Sequence, residues 1–293
     1  MKFGVVDNPE EIDFSLPDDH HDTEQILNGD GSLCDIYVGC AKWNRQDLKG
    51  FYPRGTKDEL AYYAQQFNSI EMNATFYNDF SANQIEKWVE RTPDEFMFFP
   101  KVHRIISHIK RLKDVESSII RYTENIRSFG RKLGMCFLQL HDNFSPENYD
   151  RLETAVSVWP RDLPLAVELR NAGWFSSADI SNRVYSLFEK YKVSNIITDT
   201  AGRRDLLHMR LTRPDAFIRY VGSNHQSDYS RLREWAEKIQ KWKAMGLRSL
   251  YFFVHQNTEV ASPLLSIYFI KQLNEVLGTD LKVPIEFRTD TLF

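Results

Sequence analysis

The sequence predicts an α/β protein: a single (β/α)8 TIM-barrel-like domain preceded by an acidic N-terminal extension. Three observations carry this. Eight short apolar runs recur after residue 35, each followed by helix-like or partly helical sequence, and that alternation argues a parallel sheet. Eight such units in about 250 residues suit a closed barrel. The first run is followed by GCAKWN, with one glycine and no phosphate-cradling loop, which disfavours the runner-up, an open doubly wound sheet.

The elements follow in order. IYVGCAKW (36–43) is a short apolar run with a polar end, and residues 56–67 carry apolar side chains at helical spacing. SIEMNATFY (69–77) alternates as a strand does, placing Glu71, Asn73 and Thr75 on one face. Ser81 opens a helix with Gln84 three residues on, a capping box, and Ile85, Trp88 and Val89 form its stripe. FMFFPKV (96–102) is the third run, and after a basic loop a helix spans 114–129. MCFLQLH (135–141) is the fourth, and Ser145-Pro146 then starts a helix that ends before Pro160. In LAVELRNAGWF (165–175), Leu165, Val167 and Leu169 face one way and Glu168 and Arg170 the other. A helix over 179–191 leads to SNIITDTA (194–201), followed by AGRRDLLHMRLTRP, the least helical connection. AFIRYVG (216–222), a helix over 230–244, SLYFFVHQN (249–257) and a last helix over 263–277 complete the pattern.

Residues 1–34 read as an extension, partly disordered or draped over the barrel, and 35–293 as the barrel domain. Residues 1–33 hold nine acidic residues against Lys2, a charge of -8; the whole chain is -4, so the remainder is +4. A mildly basic body admits an anionic ligand and is too weak a signal for a nucleic-acid binder. No apolar run approaches the roughly 18 residues of a membrane span, and the N-terminus lacks the basic and apolar blocks of a signal peptide. Cys34, Cys40 and Cys136 show no paired spacing, so neither a disulfide framework nor a zinc site is expected, and the chain reads as cytoplasmic. His20 and His21 are expected in solvent, their side chains diverging along an extended chain.

In barrels of this kind chemistry sits at the C-terminal ends of the strands. Those ends are unusually polar here. The second supplies Glu71, Asn73, Thr75 and Tyr77, the third Lys101 and the fourth Gln139. The fifth supplies Glu168, Arg170 and Trp174, the sixth Asp199, the seventh Arg219 and the eighth His255. Glu168 is expected as general acid or base if burial raises its pKa, against the opposing pull of Arg170 or Lys101. Lys101 can bind an anion, pair with Glu71 or Glu168, or form a Schiff base if desolvated. Asp199 is a further catalytic candidate or a helix cap. Glu71, Asn73, Thr75, Tyr77, Gln139, Arg170, Trp174 and Arg219 are candidate substrate contacts. A metal site would need three or four of Glu168, Asp199, His103, His141 and His255 to converge, and no helical H-x-x-x-H spacing supports one; neither a metal nor a cofactor is expected.

GCAKW, GFYP, EMNATFY, FPKVHRIISH, LQLHDNF, ELRNAGWF, TDTAGR and IRYVG, in that order, resemble the family called domain of unknown function 72 over residues 35–277. The resemblance implies a (β/α)8-like barrel with a polar pocket at its C-terminal mouth and no established activity, substrate or cofactor. It puts Glu71, Asn73, Thr75, Tyr77, Lys101, Gln139, Glu168, Arg170, Trp174, Asp199 and Arg219 at the family's motif positions. The chain departs where the family commonly has serine (Ala41), proline (His141) and histidine (Asn171 and Val221), and at the strand-eight end, commonly asparagine-rich but here His255-Gln256.

Three readings follow. The first is an enzyme using acid/base chemistry on a small polar or anionic molecule, such as a sugar or sugar phosphate, at the barrel mouth. The second is a non-catalytic binding barrel. The third is a metal-dependent nuclease-like barrel, resting on the basic loop 101–113. A small-molecule ligand is the expected partner; nucleic acid and membrane are not, and the sequence leaves the oligomeric state open.

Overall fold

The computed structural model describes residues 4–29 and 35–285; Lys2, Asp30 and Cys34 lie outside them. Eight parallel strands are present among the described residues: β1 (Asp35–Cys40), β2 (Ser69–Met72), β3 (Met97–Pro100), β4 (Cys136–Gln139), β5 (Leu165–Glu168), β6 (Ser194–Thr200), β7 (Asp215–Gly222) and β8 (Ser249–Gln256). Six form one sheet in the order β1-β8-β7-β6-β5-β4, and β2 pairs with β3. The arrangement is a barrel-like α/β fold.

The two sheets meet along two seams. Between β3 and β4 the isolated parallel bridges Phe98–Leu133 and Lys101–Phe137 form, and the Val102 amide donates to Phe137 O at 2.8 Å. Between β1 and β2 side chains replace the ladder. Asn68 accepts from the Val38 amide at 3.0 Å and donates to Ile36 O at 2.8 Å. The Tyr63 hydroxyl accepts from the Cys40 amide at 2.7 Å and donates to Ser69 O at 3.1 Å. Only glycine fits at position 39, because an added Cβ would stand 2.2 Å from Ser69 O.

The helices are α1 (Thr23–Ile26), α2 (Glu59–Gln66), α3 (Ala74–Tyr77), α4 (Ala82–Glu90), α5 (Glu116–Ile126), α6 (Tyr149–Val158), α7 (Ala178–Tyr191), α8 (Ser227–Met245) and α9 (Ser262–Leu277). Asp58, Ser81 and Ser177 cap α2, α4 and α7 by accepting backbone amides of the first turn. The alternation expected through residue 77 stops early. β2 ends at Met72 and α3 turns back over it, because the Thr75 hydroxyl donates to Met72 O at 3.0 Å and Lys101 O at 2.8 Å.

The connection from β6 to β7 carries a 3-10 turn, Arg204–Leu206, and no α-helix. Residues of the N-terminal segment occupy the space between α7 and α8 instead. The Thr23 hydroxyl donates to Met209 O at 2.9 Å and accepts from the Leu211 amide at 3.2 Å. Glu234 and Lys238 of α8 hold Leu16 and Asp19 at 2.8 and 3.0 Å, and His20 packs edge-on against Tyr185 of α7. Thr23 and Leu27 are fully buried. Deleting residues 1–29 is therefore expected to destabilise the protein by about 3 kcal/mol or more through exposed apolar surface and orphaned backbone groups. Thermal unfolding at unchanged Tm would contradict this.

Strand period 2 sorts the interior into layers. Phe99, Phe137, Ala166, Ile196, Phe217 and Phe253 form an inner cluster separate from the shell packed beneath the helices. One step of two residues toward the C-terminal end stand Lys101, Gln139, Glu168, Thr198, Arg219 and His255. The charged layer thus lies directly on an aromatic one.

Candidate functional site

Arg219 is the hub of that charged layer. It enters from β7, where Phe217 and Arg219 point inward and Ile218 and Tyr220 outward. Its Nε and Nη2 donate to the Glu71 carboxylate at 2.8 and 2.9 Å, and its Nη1 donates to Glu168 Oε2 at 2.6 Å. The same Nη1 reaches Gln139 Oε1 at 3.2 Å. Glu168 also accepts from Arg170 Nε at 2.7 Å. Glu71 also accepts from Asn73 Nδ2 at 2.9 Å and contacts His255 Nε2 at 2.9 Å. Glu71, Glu168 and Arg219 are 0%, 1% and 4% exposed, so these charges interact in a poorly screened interior.

Electrostatics assigns the carboxylates a fixed charge. Burial alone would raise the Glu168 pKa, but the Arg170 and Arg219 guanidiniums outweigh it and bring it down to about 2. Glu71 behaves alike: burial is overridden by Arg219 and then His255, and its pKa falls well below the ordinary value. Glu168 as a general acid or base with a raised pKa is thus corrected. A carboxylate held by two arginines stays ionised near neutrality. Because both folded pKa values lie below the unfolded ones, the stability the pair contributes is complete above about pH 4.5 and is lost as pH falls below it, for Glu168 toward about 2. Acid unfolding of wild-type protein should show this loss, and a Glu71→Gln/Glu168→Gln variant should not lose stability over the same window.

Lys101 stands apart from the pairs. Its Nζ donates to the neutral Gln139 Oε1 at 2.9 Å, while the oxygens of Glu71 and Glu168 are engaged by Arg219, Arg170, Asn73 and His255. The amine lies 4.4 Å from the Phe76 ring centre and 5.8 Å from that of Phe137. Burial first, and then Arg219, lower its pKa to about 7 despite Glu71 and Glu168. Next to it, burial and Lys101 lower the pKa of His108 to about 4, and the His108 ring lies 5.4 Å from that of His141.

Four expected site residues lie elsewhere. Asp199 is on the opposite face of its strand: it is in register with Tyr220, whereas Thr198 is in register with Arg219. It accepts from Arg231 at 2.8 Å, from Trp235 Nε1 at 2.8 Å and from Arg204, so it locks α8 to the sheet. Trp174 is 1% exposed, donates to Phe144 O at 2.7 Å and stacks on Phe144, a packing role. Thr75 ties α3 to β3, and Tyr77 is exposed on α3. Glu71, Asn73, Lys101, Gln139, Glu168, Arg170 and Arg219 do come together.

His255, which the sequence offers only as a strand end and a metal candidate, and His108 complete the cluster. The signal for His255 was present in Tyr251, Phe253 and His255, the inward set of β8. His108 offers none, because it arrives on a π-turn, Ile105–Ile109, followed by left-handed residues at Arg111, Leu112 and Asp114. With Asp199 turned away, the set considered for a metal does not converge. Among the described residues, His20, His21 and Asp22 place ligand atoms within 4.8 Å of one another. The two rings stack at 4.3 Å, contrary to the divergence expected, because they sit in the turn entering α1 and not on an extended chain. Arg210 lies 3.6 Å from the Asp22 carboxylate and opposes a cation there. No helix of the described residues is long and apolar enough to cross a membrane.

Fold and site together define a class: a barrel-like α/β protein with a buried, charged cluster at the C-terminal ends of its parallel strands. Its family follows from residues 37–286, which match the family described as "Protein of unknown function DUF72"; the chain belongs to that family. It is similar to UPF0759 protein YecE of Escherichia coli, 24% identical over 88% of this chain and 100% of that one. UPF0759 protein YunF of Bacillus subtilis is 28% identical over 48% of this chain and 52% of its own. Among solved structures, a DUF72 family protein from Enterococcus faecalis superposes with TM-score 0.69 at 18% identity, covering 87% of this chain and 100% of that one. One from Thermotoga maritima gives 0.68 at 22% identity, covering 82% and 99%. These names specify no reaction or substrate.

Proposed function

We propose that the eight strands act as one (β/α)8 barrel whose mouth binds a small polar anion, such as a sugar phosphate or a carboxylate, and that Lys101 exchanges protons with it. The parallel bridges between β3 and β4 and the side-chain bonds between β1 and β2 support the barrel. The observation that carries the function is the Lys101 amine, 8% exposed and bonded to a neutral amide at the end of β3. A buried amine with its pKa near neutrality is suited to general acid/base work, whereas Glu168 and Glu71 are positioning groups. The neighbouring Arg219 and Arg170 guanidiniums put positive charge beside Lys101 at the mouth.

Ligand-observed NMR against a panel of sugar phosphates and small carboxylates tests this. Binding by wild-type protein should weaken by about tenfold or more in Lys101→Met, as loss of one charge-assisted contact implies. Equal binding by the two proteins would contradict the role of Lys101. The saturation of both carboxylates favours one other reading, a binding barrel without turnover, in which ligands bind at the mouth and are recovered unchanged.

A further inference from the structure

The mouth holds more than an acid/base group. We infer that Lys101 is a nucleophile that forms an imine with the keto carbon of a small α-keto acid, whose carboxylate is held by the surrounding cations. This rests on the proposed reading of the mouth and deepens it by naming the substrate class.

The geometry supports each part. Lys101 Nζ lies between the Phe76 and Phe137 rings with one N–H directed to Gln139 Oε1 at 2.9 Å. Those neighbours fix the amine without offering a carboxylate that would hold it as an ammonium ion. An amine desolvated beside other cations is the environment in which lysine becomes nucleophilic, and its lowered pKa agrees. Gln139, Lys101 and Arg219 are 7%, 8% and 4% exposed, so the amine is largely shielded from bulk water. Carboxylate and reacting carbon are adjacent in an α-keto acid, so a carboxylate drawn to the Arg219 guanidinium, which shares Gln139 Oε1 with Lys101, falls next to Nζ. On the same inward layer the Thr198 hydroxyl is buried without a hydrogen-bond partner.

The step balances. The Nζ lone pair attacks the carbonyl carbon and the C–N bond forms while the carbonyl π pair moves to oxygen. One amine proton is transferred to that oxygen, giving a neutral carbinolamine. The C–O bond then breaks, a second proton from nitrogen leaves with the oxygen as water, and the C=N bond forms. No electrons are gained or lost. Protonation of the imine gives an iminium cation within the field of Glu71 and Glu168.

The test uses the full wild-type chain, with pyruvate as probe and cyanoborohydride to reduce any iminium, near neutral pH, followed by peptide mass mapping. The expected result is a reduced pyruvyl adduct on Lys101 formed at least about tenfold faster than on any surface lysine, because ordinary lysines are almost wholly protonated there. Labelling that follows exposure and spares Lys101 would overturn the inference. Calorimetry with pyruvate alone separates the two levels. Binding without an adduct overturns the imine and leaves the anion-binding mouth standing, and absence of both overturns both.

Discussion

Replacing Arg219 with methionine is expected to destabilise the protein by about 3–5 kcal/mol, because it leaves two buried carboxylates without their shared partner. Arg219 donates twice to Glu71 and once to Glu168, and all three side chains are almost fully buried. Arg170 and His255 each retain one carboxylate, which limits the loss without preventing it. The carboxylates should respond by taking up protons, so the variant should be rescued in part as the pH is lowered toward the ordinary carboxylate range, opposite to the wild-type trend. Urea unfolding of the two proteins at several pH values measures both effects. A variant as stable as wild type near neutrality would show that the cluster is hydrated and not the interior network described.

Lys101→Met carries the opposite sign. The folded-state pKa of Lys101 is lowered from 10.5 to about 7, so the unfolded chain binds the proton more tightly. The sign follows from linkage: stability is penalised fully below the folded pKa, and the penalty fades as pH rises to the unfolded value. Removing the amine should therefore raise stability near pH 6 by about 1–2 kcal/mol, in the range of substitutions that relieve a functional strain, and the gain should vanish as the pH approaches 10.5. Gln139 Oε1 keeps the Arg219 Nη1 bond at 3.2 Å, so no buried acceptor is orphaned. A pH-independent loss of stability would mark Lys101 as structural. The contrast defines the site: Arg219 supports the fold, whereas Lys101 is kept at the fold's expense.

Much of this was legible in the sequence for physical reasons. Period-2 alternation in LAVELR and AFIRYV places Glu168 and Arg219 on the face of Ala166 and Phe217, and the parallel register brings both to the same end of the sheet. The same parity rule, applied strictly within β6, would have excluded Asp199, since inward Ile196 and Thr198 leave Ile197 and Asp199 outward. Position along the strand alone does not bring Asp199 to the mouth, because its face of the strand is the outward one. EMNATFY misled for a different reason. Its alternation is that of a strand, but the Thr75 hydroxyl competes for the Met72 and Lys101 carbonyls and turns the chain into α3. The pKa of Glu168 was legible only in part: the pull of Arg170, two residues on, can be read from the sequence, whereas that of Arg219, 51 positions away and arriving at 2.6 Å, cannot.

The Lys101 amine is the group on which acid/base and imine chemistry at the mouth both depend, and its titration can be followed directly. Lysine labelled with 13C at Cε and followed by NMR across neutral and alkaline pH reports the ionisation of each side chain. One resonance, absent from the Lys101→Met spectrum, is expected to titrate with a midpoint near pH 7 while exposed lysines titrate near the ordinary value of 10.5. A Lys101 resonance that titrates with the exposed lysines would show an ordinary, solvated ammonium and rule out both roles.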